Sequence, residues 1–70
     1  MMPLSVANID EKIVIKKITG KDEVRCHLAE LGFVVGQELF IVSKNKGNII
    51  IKVKGSRVAI DESMANRIMV

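Results

Sequence analysis

Residues 25–36 read Arg-Cys-His-Leu-Ala-Glu-Leu-Gly-Phe-Val-Val-Gly, and this stretch encodes the end of a helix, its stop signal and the approach to a strand. Val24, Leu28 and Leu31 recur at the i, i+4 and i+7 spacing that places three side chains on one face of an α-helix. The organisation of the chain depends on this joint, because the helix must bury that face against the segments on either side of it.

Gly32 supplies the stop signal. A glycine readily adopts the left-handed conformation that ends a helix, and with Gly32 in that position Leu28 and Phe33 become the apolar pair of a Schellman cap. This cap sets the direction in which the chain leaves the helix. We therefore expect the helix to end immediately before Gly32 and a strand to follow after a short loop.

The start of the helix is marked less sharply. Thr19 precedes Asp22 by three residues, as in a capping box, while Gly20 or Asp22 itself is an alternative N-cap. We expect the first turn near Gly20 or Lys21.

The composition indicates one small, mostly β domain covering residues 1–70. Almost half of the side chains are apolar, with 19 Ile and Val against two Phe, a β-branched composition typical of strands. The net charge of +3 is a mild excess that identifies no partner. Cys26 is the only cysteine, and neither a signal peptide nor a long apolar run is evident. We therefore expect a cytoplasmic protein.

Alternating apolar residues predict five short strands separated by tight turns. The strands are expected near residues 13–18, 39–42, 49–54, 57–60 and 68–70, with the helix inserted after the first. Polar residues 43–48 and the pair Gly55-Ser56 supply turns, and Asp61 is the natural N-cap of a short helical turn before the last strand. This order indicates a small, highly curved barrel with few open edges.

The second predicted strand is apolar on both faces, because Leu39 and Ile41 alternate with Phe40 and Val42. The inserted helix cannot shield all of these side chains, so Phe40, Val42 and Ile50 form a candidate exposed patch. The alternative is that other apolar residues fold over the patch; the candidates are Leu4, Val6, Met64 and Met69.

The motifs resemble the FeoA family of small cytosolic accessory proteins of bacterial ferrous-iron transport. The matching segments occur in the family's order: Leu4-Ser5, Arg25-x-x-Leu28-x-Glu30-Leu31-Gly32-Phe33-x-x-Gly36, Val53-x-Gly55-x-Arg57-Val58-Ala59-Ile60 and Ala65-x-x-Ile68-x-Val70. Residues 44–48 depart from the family, since they lack the proline that members often carry there, and residues 8–11 lack a glycine common before the first strand.

The resemblance implies a fold and a role. The fold is a small SH3-like barrel of about five strands, forming a single FeoA-like domain. The role is that of a non-enzymatic protein that docks on and modulates FeoB, a membrane ferrous-iron transporter with a cytosolic nucleotide-binding domain. The resemblance also associates the chain with transition metal ion binding.

The residues themselves offer little catalytic chemistry. An enzyme site needs a nucleophile with a base, or a metal with an open position, and the only Cys and His are the neighbours Cys26 and His27. Consecutive helical side chains diverge by about 100°, so we expect both on the surface, with no catalytic residue, metal ligand or cofactor. The alternative is a metal site shared by two copies, whose thiolate and imidazole groups favour zinc or copper over ferrous iron.

Nucleic-acid binding is the alternative function. Five cations lie around one predicted hairpin, namely Lys44, Lys46, Lys52, Lys54 and Arg57. The chain has no Tyr or Trp, and both Phe residues lie in apolar contexts, so the stacking platforms of single-strand recognition are missing. A solvated strand face explains the lysines without a ligand.

Two segments are the candidate partner-binding surfaces. On the outer side of the helix they are Arg25, Cys26, Ala29 and Glu30, and in the hairpin loop they are Lys44, Asn45 and Lys46. The expected partner is the cytosolic part of a FeoB-like transporter, with a homodimer as a further option. A regulatory domain of an iron-dependent repressor is a third idea, but 70 residues without a helix-turn-helix exclude a complete regulator.

Overall fold

A computed structural model describes residues 1–70. A short 3₁₀ turn at Leu4–Val6 precedes six strands and two helices. These are β1 Lys12–Val14, β2 Lys17–Ile18, α1 Asp22–Glu30, β3 Glu38–Asn45, β4 Asn48–Val53, β5 Ser56–Asp61, α2 Glu62–Ala65 and β6 Ile68–Met69. All pairings are antiparallel, in a four-stranded sheet of order β1-β3-β4-β5 and a two-stranded sheet of β2 and β6. The mostly β prediction is confirmed.

The Schellman cap at the end of α1 is confirmed. The Phe33 amide donates to the Leu28 carbonyl at 2.9 Å, and the Gly32 amide donates to the Ala29 carbonyl at 3.0 Å. Gly32 has a φ of +103°, in the region that an L side chain rarely adopts. Leu28 and Phe33 are both fully buried, so the cap anchors the helix end to the core.

None of the three N-cap candidates, Thr19, Gly20 and Asp22, caps α1. The N-cap is Lys21, in an extended conformation and without a side-chain hydrogen bond. Thr19 is held elsewhere, because its amide and its Oγ1 both donate to the Arg67 carbonyl, at 2.7 and 3.3 Å. Pairing with a distant segment therefore takes the hydroxyl that a capping box needs.

The first predicted strand is divided between the two sheets. Up to Ile15 the chain pairs with the β3 side, where the Ile15 amide donates to the Gln37 carbonyl at 3.0 Å. The Lys16 amide then donates to the Met69 carbonyl at 2.8 Å, and β2 continues along β6. This change of partner joins the sheets at a corner and curves the molecule around its core.

The first hairpin turn is shorter than predicted, and the second is shifted by one residue. β3 extends to Asn45, which pairs with Asn48, so only Lys46 and Gly47 lie in the turn. The second turn consists of Lys54 and Gly55, and Ser56 already belongs to β5.

The core is one apolar cluster between the sheets and the inner face of α1. Fifteen buried residues form it, among them Leu4, Ile15, Leu28, Phe33, Leu39, Ile41, Ile51 and Ile68. Val24 and Leu31 pack against its edge, which confirms the predicted apolar face of the helix. No polar or charged residue is buried.

The short helix α2 forms as predicted. The Asp61 Oδ1 accepts a hydrogen bond from the Met64 amide at 2.7 Å, which is the N-cap contact. Ala65, the last residue of α2, is buried. β6 begins three residues later and completes the second sheet.

Candidate functional site

The most prominent concave surface is a groove beside α1. It is an open feature of about 760 Å³ between α1, β2 and the segment that follows the Schellman cap. Its apolar wall consists of Ile18, Cys26, Ala29, Phe33, Val34 and Val35. The groove exists because the cap turns residues 33–35 back along the helix that they have just left.

The groove presents apolar side chains to solvent. Val35 is 65% exposed and Val34 is 38% exposed. The loop that carries them is tied down, since the Gly36 amide donates to the Ile15 carbonyl at 2.8 Å and the Gln37 amide donates to the Val34 carbonyl at 3.0 Å. Fixed, exposed and adjacent apolar side chains beside a groove are typical of a surface that binds another molecule.

The charge around the groove is predominantly positive. Lys16, Lys17 and Arg25 contribute three cations to its lining, and Asp22 contributes one anion. The Arg25 Nη1 lies 3.8 Å from the Asp22 Oδ1, a long and exposed ion pair that leaves the guanidinium available to a ligand. The groove therefore fits an apolar segment that carries acidic groups.

Three of the predicted partner-binding residues meet in this groove. Arg25, Cys26 and Ala29 follow one another on the outer face of α1 and line it together, as their i, i+1 and i+4 spacing allows. Glu30 is exposed on the same helix but does not line the groove. The hairpin residues Lys44 and Asn45 do not line the groove. They line a separate, smaller depression beside the turn between β3 and β4.

Lys44 occupies a different environment from the one predicted. A β-bulge lies between Ile41 and Ser43, and beyond it Lys44 pairs with the buried Ile49 on the inner side of the sheet. Its Nζ donates to the Ala7 carbonyl at 2.6 Å and to the Ser5 carbonyl at 3.1 Å. The ammonium group therefore links β3 to the residues around the N-terminal 3₁₀ turn, while the residue itself stays exposed. Asn45 and Lys46 remain exposed at the turn.

The predicted outer patch is only partly exposed. Phe40 is 42% exposed, whereas Val42 and Ile50 are half-buried. Leu4 does not cover this patch, because it is fully buried in the core, and Val6 is 59% exposed.

Four residues that line the groove are absent from the predicted site, namely Val34, Val35, Lys16 and Lys17. The sequence pattern places the valines in the short loop after the helix and the lysines within the first predicted strand. The sequence signal for the missed wall is the pair of β-branched residues Val34 and Val35, because they stand in a short loop where no strand partner covers them.

Catalytic and metal chemistry have no evident centre. Cys26 is free and exposed, and His27 is exposed beside it. No group of three or more His, Cys, Asp or Glu side chains is placed to hold a metal ion.

Neither helix has the length and apolar character needed to cross a membrane.

The curved antiparallel strands, the helix inserted after the first strand and the open groove define a small SH3-like barrel domain. The sequence model of the FeoA domain family matches residues 2–70 of this chain. The chain therefore belongs to the FeoA family. The resemblance found in the sequence motifs is thereby confirmed.

Relatives with known names or structures support this assignment. The chain is 34% identical over 70 residues to a protein named Fe(2+) transport protein A from Methanocaldococcus jannaschii, covering 100% of this chain and 85% of the relative. It is 33% identical to a crystal structure of the iron uptake regulatory protein FeoA, with a TM-score of 0.89 over 99% of this chain and 92% of that one.

A further solved structure is that of Stenotrophomonas maltophilia FeoA in complex with zinc, described as a procaryotic SH3 domain protein. It is 29% identical, with a TM-score of 0.85, and the alignment covers 100% of this chain and 89% of that one.

Proposed function

We propose that this protein is a non-enzymatic, cytosolic accessory protein of ferrous-iron uptake that docks on the cytosolic part of a FeoB-like membrane transporter and modulates it. Membership of the FeoA family supports the transport role, as do the name of the Methanocaldococcus jannaschii relative and the suggestion, made for the Stenotrophomonas maltophilia protein, that it acts as a ferrous iron transport activating factor.

The groove beside α1 is the observation that carries the proposal. It combines a rigid apolar wall, including the exposed Val35, with the cations Lys16, Lys17 and Arg25. An apolar centre with a charged rim is the usual anatomy of a protein-binding surface, in which the apolar contacts supply affinity and the charges supply orientation.

Docking alone is sufficient to modulate a transporter. A domain that binds one conformation of its partner better than another shifts the population of the two by the difference between those affinities. The chain then needs no catalytic group or nucleotide site of its own.

An NMR titration of the labelled protein with the soluble nucleotide-binding domain of its FeoB, with and without guanine nucleotide, tests this function. We expect amide shifts that concentrate on α1 and residues 33–36. Val35→Asp should raise the Kd by about tenfold or more, because it places a charge in the apolar wall.

Val6→Asp is the matched control, since Val6 is equally apolar and 59% exposed but does not line the groove. It should bind as the wild type does. Equal losses for the two variants, or no shifts at high concentrations of both proteins, would contradict docking through the groove.

A further inference from the structure

β5 is an open edge of the four-stranded sheet. It pairs with β4 on one side only, through six consecutive residue pairs without a bulge. The opposite edge strand, β1, has three residues and includes Lys12. Natural sheets blunt their edges by short strands, bulges, prolines or charged side chains. β5 is regular and has no proline, and its charged side chains are Arg57 and Asp61.

The free backbone groups of this edge can be assigned from the register. The Glu62 amide donates to the Gly47 carbonyl at 3.2 Å, which makes that pair a hydrogen-bonded one. Because such pairs alternate along an antiparallel ladder, Arg57, Ala59 and Asp61 direct their amides away from β4. No backbone or side-chain hydrogen bond to Arg57 or Ala59 comes from outside the ladder, and both residues are exposed.

The charges of the same edge are unbalanced within one chain. Arg57 lies directly opposite Lys52 on β4, a pairing of like charges, and neither has an acidic group within ion-pair distance. The acidic residues Asp61 and Glu62 lie at the other end of the strand. β5 is therefore positive at its start and negative at its finish.

We propose that two copies of this protein associate by antiparallel pairing of their β5 edges about a two-fold axis at Ala59. Each Arg57 then lies opposite Asp61 of the second copy. The symmetric dimer therefore contains two Arg57–Asp61 pairs, which give each Arg57 the acidic partner that it lacks in the monomer. The two Ala59 residues exchange backbone hydrogen bonds across the axis, and their small side chains allow the close approach. The product is one continuous eight-stranded sheet.

The charge pattern selects this arrangement over the alternatives. A parallel pairing would place Arg57 beside Arg57 and Asp61 beside Asp61, and like charges directly opposite are destabilising. In the antiparallel pairing, the half-buried Val58 also lies opposite Ile60 of the second copy, which removes further apolar surface from water. A second copy is thus the occupant that the edge itself specifies.

A concentration series tests the proposal by sedimentation and NMR, with reductant present so that Cys26 disulfides do not contribute. Pairing of five residues from each strand, 57–61, is a small interface, so we expect a weak dimer that is populated at about 1 mM. The Ala59 amide should gain protection from exchange with concentration. A mixed-label sample should show an intermolecular contact between the Hα atoms of Val58 and Ile60, which are close in a non-hydrogen-bonded pair.

Charge-reversal variants test whether the dimer forms through the β5 edge and not through another surface. Arg57→Glu acts twice in the symmetric dimer and should raise its Kd by about tenfold. Lys21→Glu is the matched control, because it makes the same charge change at an exposed residue outside the four-stranded sheet; it should leave the Kd of the dimer nearly unchanged. Ala59→Lys, which places two ammonium groups at the axis, should abolish association.

Three results would overturn the proposal. The first is a protein that stays monomeric throughout the series. The second is a dimer whose Kd is unchanged by both Arg57→Glu and Ala59→Lys. The third is capture of an unrelated extended peptide at β5 while self-association is absent.

Discussion

The Nζ of Lys44 donates to the main-chain carbonyl of Ala7 at 2.6 Å, which ties β3 to the segment that follows the N-terminal 3₁₀ turn. A second donation to the Ser5 carbonyl, at 3.1 Å, completes the contact. A residue placed among the candidate partner-binding cations thus also connects two distant segments of the chain.

Replacement of Lys44 should therefore lower stability. Lys44→Met keeps most of the aliphatic stem but removes the ammonium group, and we expect the free energy of unfolding to fall by about 1 kcal/mol. Urea unfolding followed by circular dichroism measures the change. Lys46→Met is the control, because Lys46 lies exposed in the turn; an equal loss for both would show that the carbonyl contacts of Lys44 are energetically unimportant.

Gly32 should tolerate substitution in proportion to the ability of the new residue to adopt a positive φ. A Cβ at Gly32 would meet its nearest neighbours at 3.7 Å, so for Ala backbone strain and not collision determines the cost. We expect Gly32→Ala to cost about 1–2 kcal/mol, Gly32→Asn less and Gly32→Val more. Thermal unfolding of the three variants gives the order, and an equal effect of Asn and Val would contradict the strain argument.

The Asp61 cap predicts a difference between two substitutions. Asp61→Ala removes the acceptor of the Met64 amide and should cost about 1 kcal/mol, whereas Asp61→Asn keeps an acceptor and should cost a few tenths. Chemical denaturation at low protein concentration measures this without a contribution from self-association. Equal destabilisation by both variants would assign the effect to the lost charge and not to the cap.

Alkylation of Cys26 should block the groove. The thiol is exposed and lines the groove, so a bulky maleimide can reach it and would then occupy the proposed docking surface. We expect the modified protein to bind the FeoB nucleotide-binding domain at least about tenfold more weakly, whereas Cys26→Ala binds normally. Unchanged binding after complete modification would move the docking surface away from α1.

Much of the fold was predictable from local patterns. The apolar spacing of Val24, Leu28 and Leu31 predicted the buried face of α1, and Gly32 with Phe33 predicted its cap. These features are readable because a helix face and a cap involve residues within about two turns of each other, so their physical causes lie side by side in the chain.

The tertiary structure decided the remaining features through contacts between distant residues. Thr19 gives up its capping role to the carbonyl of Arg67, and the first strand divides where Lys16 pairs with Met69. Beyond a bulge within β3, the ammonium group of the exposed Lys44 reaches the carbonyl of Ala7. None of these partners can be chosen from a local pattern, because each depends on which strands come together.

The same division holds for the candidate site. The exposure of Arg25, Cys26 and Ala29 followed from helical periodicity, and the structure places all three in the groove. The opposite wall, with Val34 and Val35, arises only when the capped chain packs back against the sheet. The sequence by itself thus determined the elements and their buried faces, whereas long-range backbone pairing decided which exposed side chains share one surface.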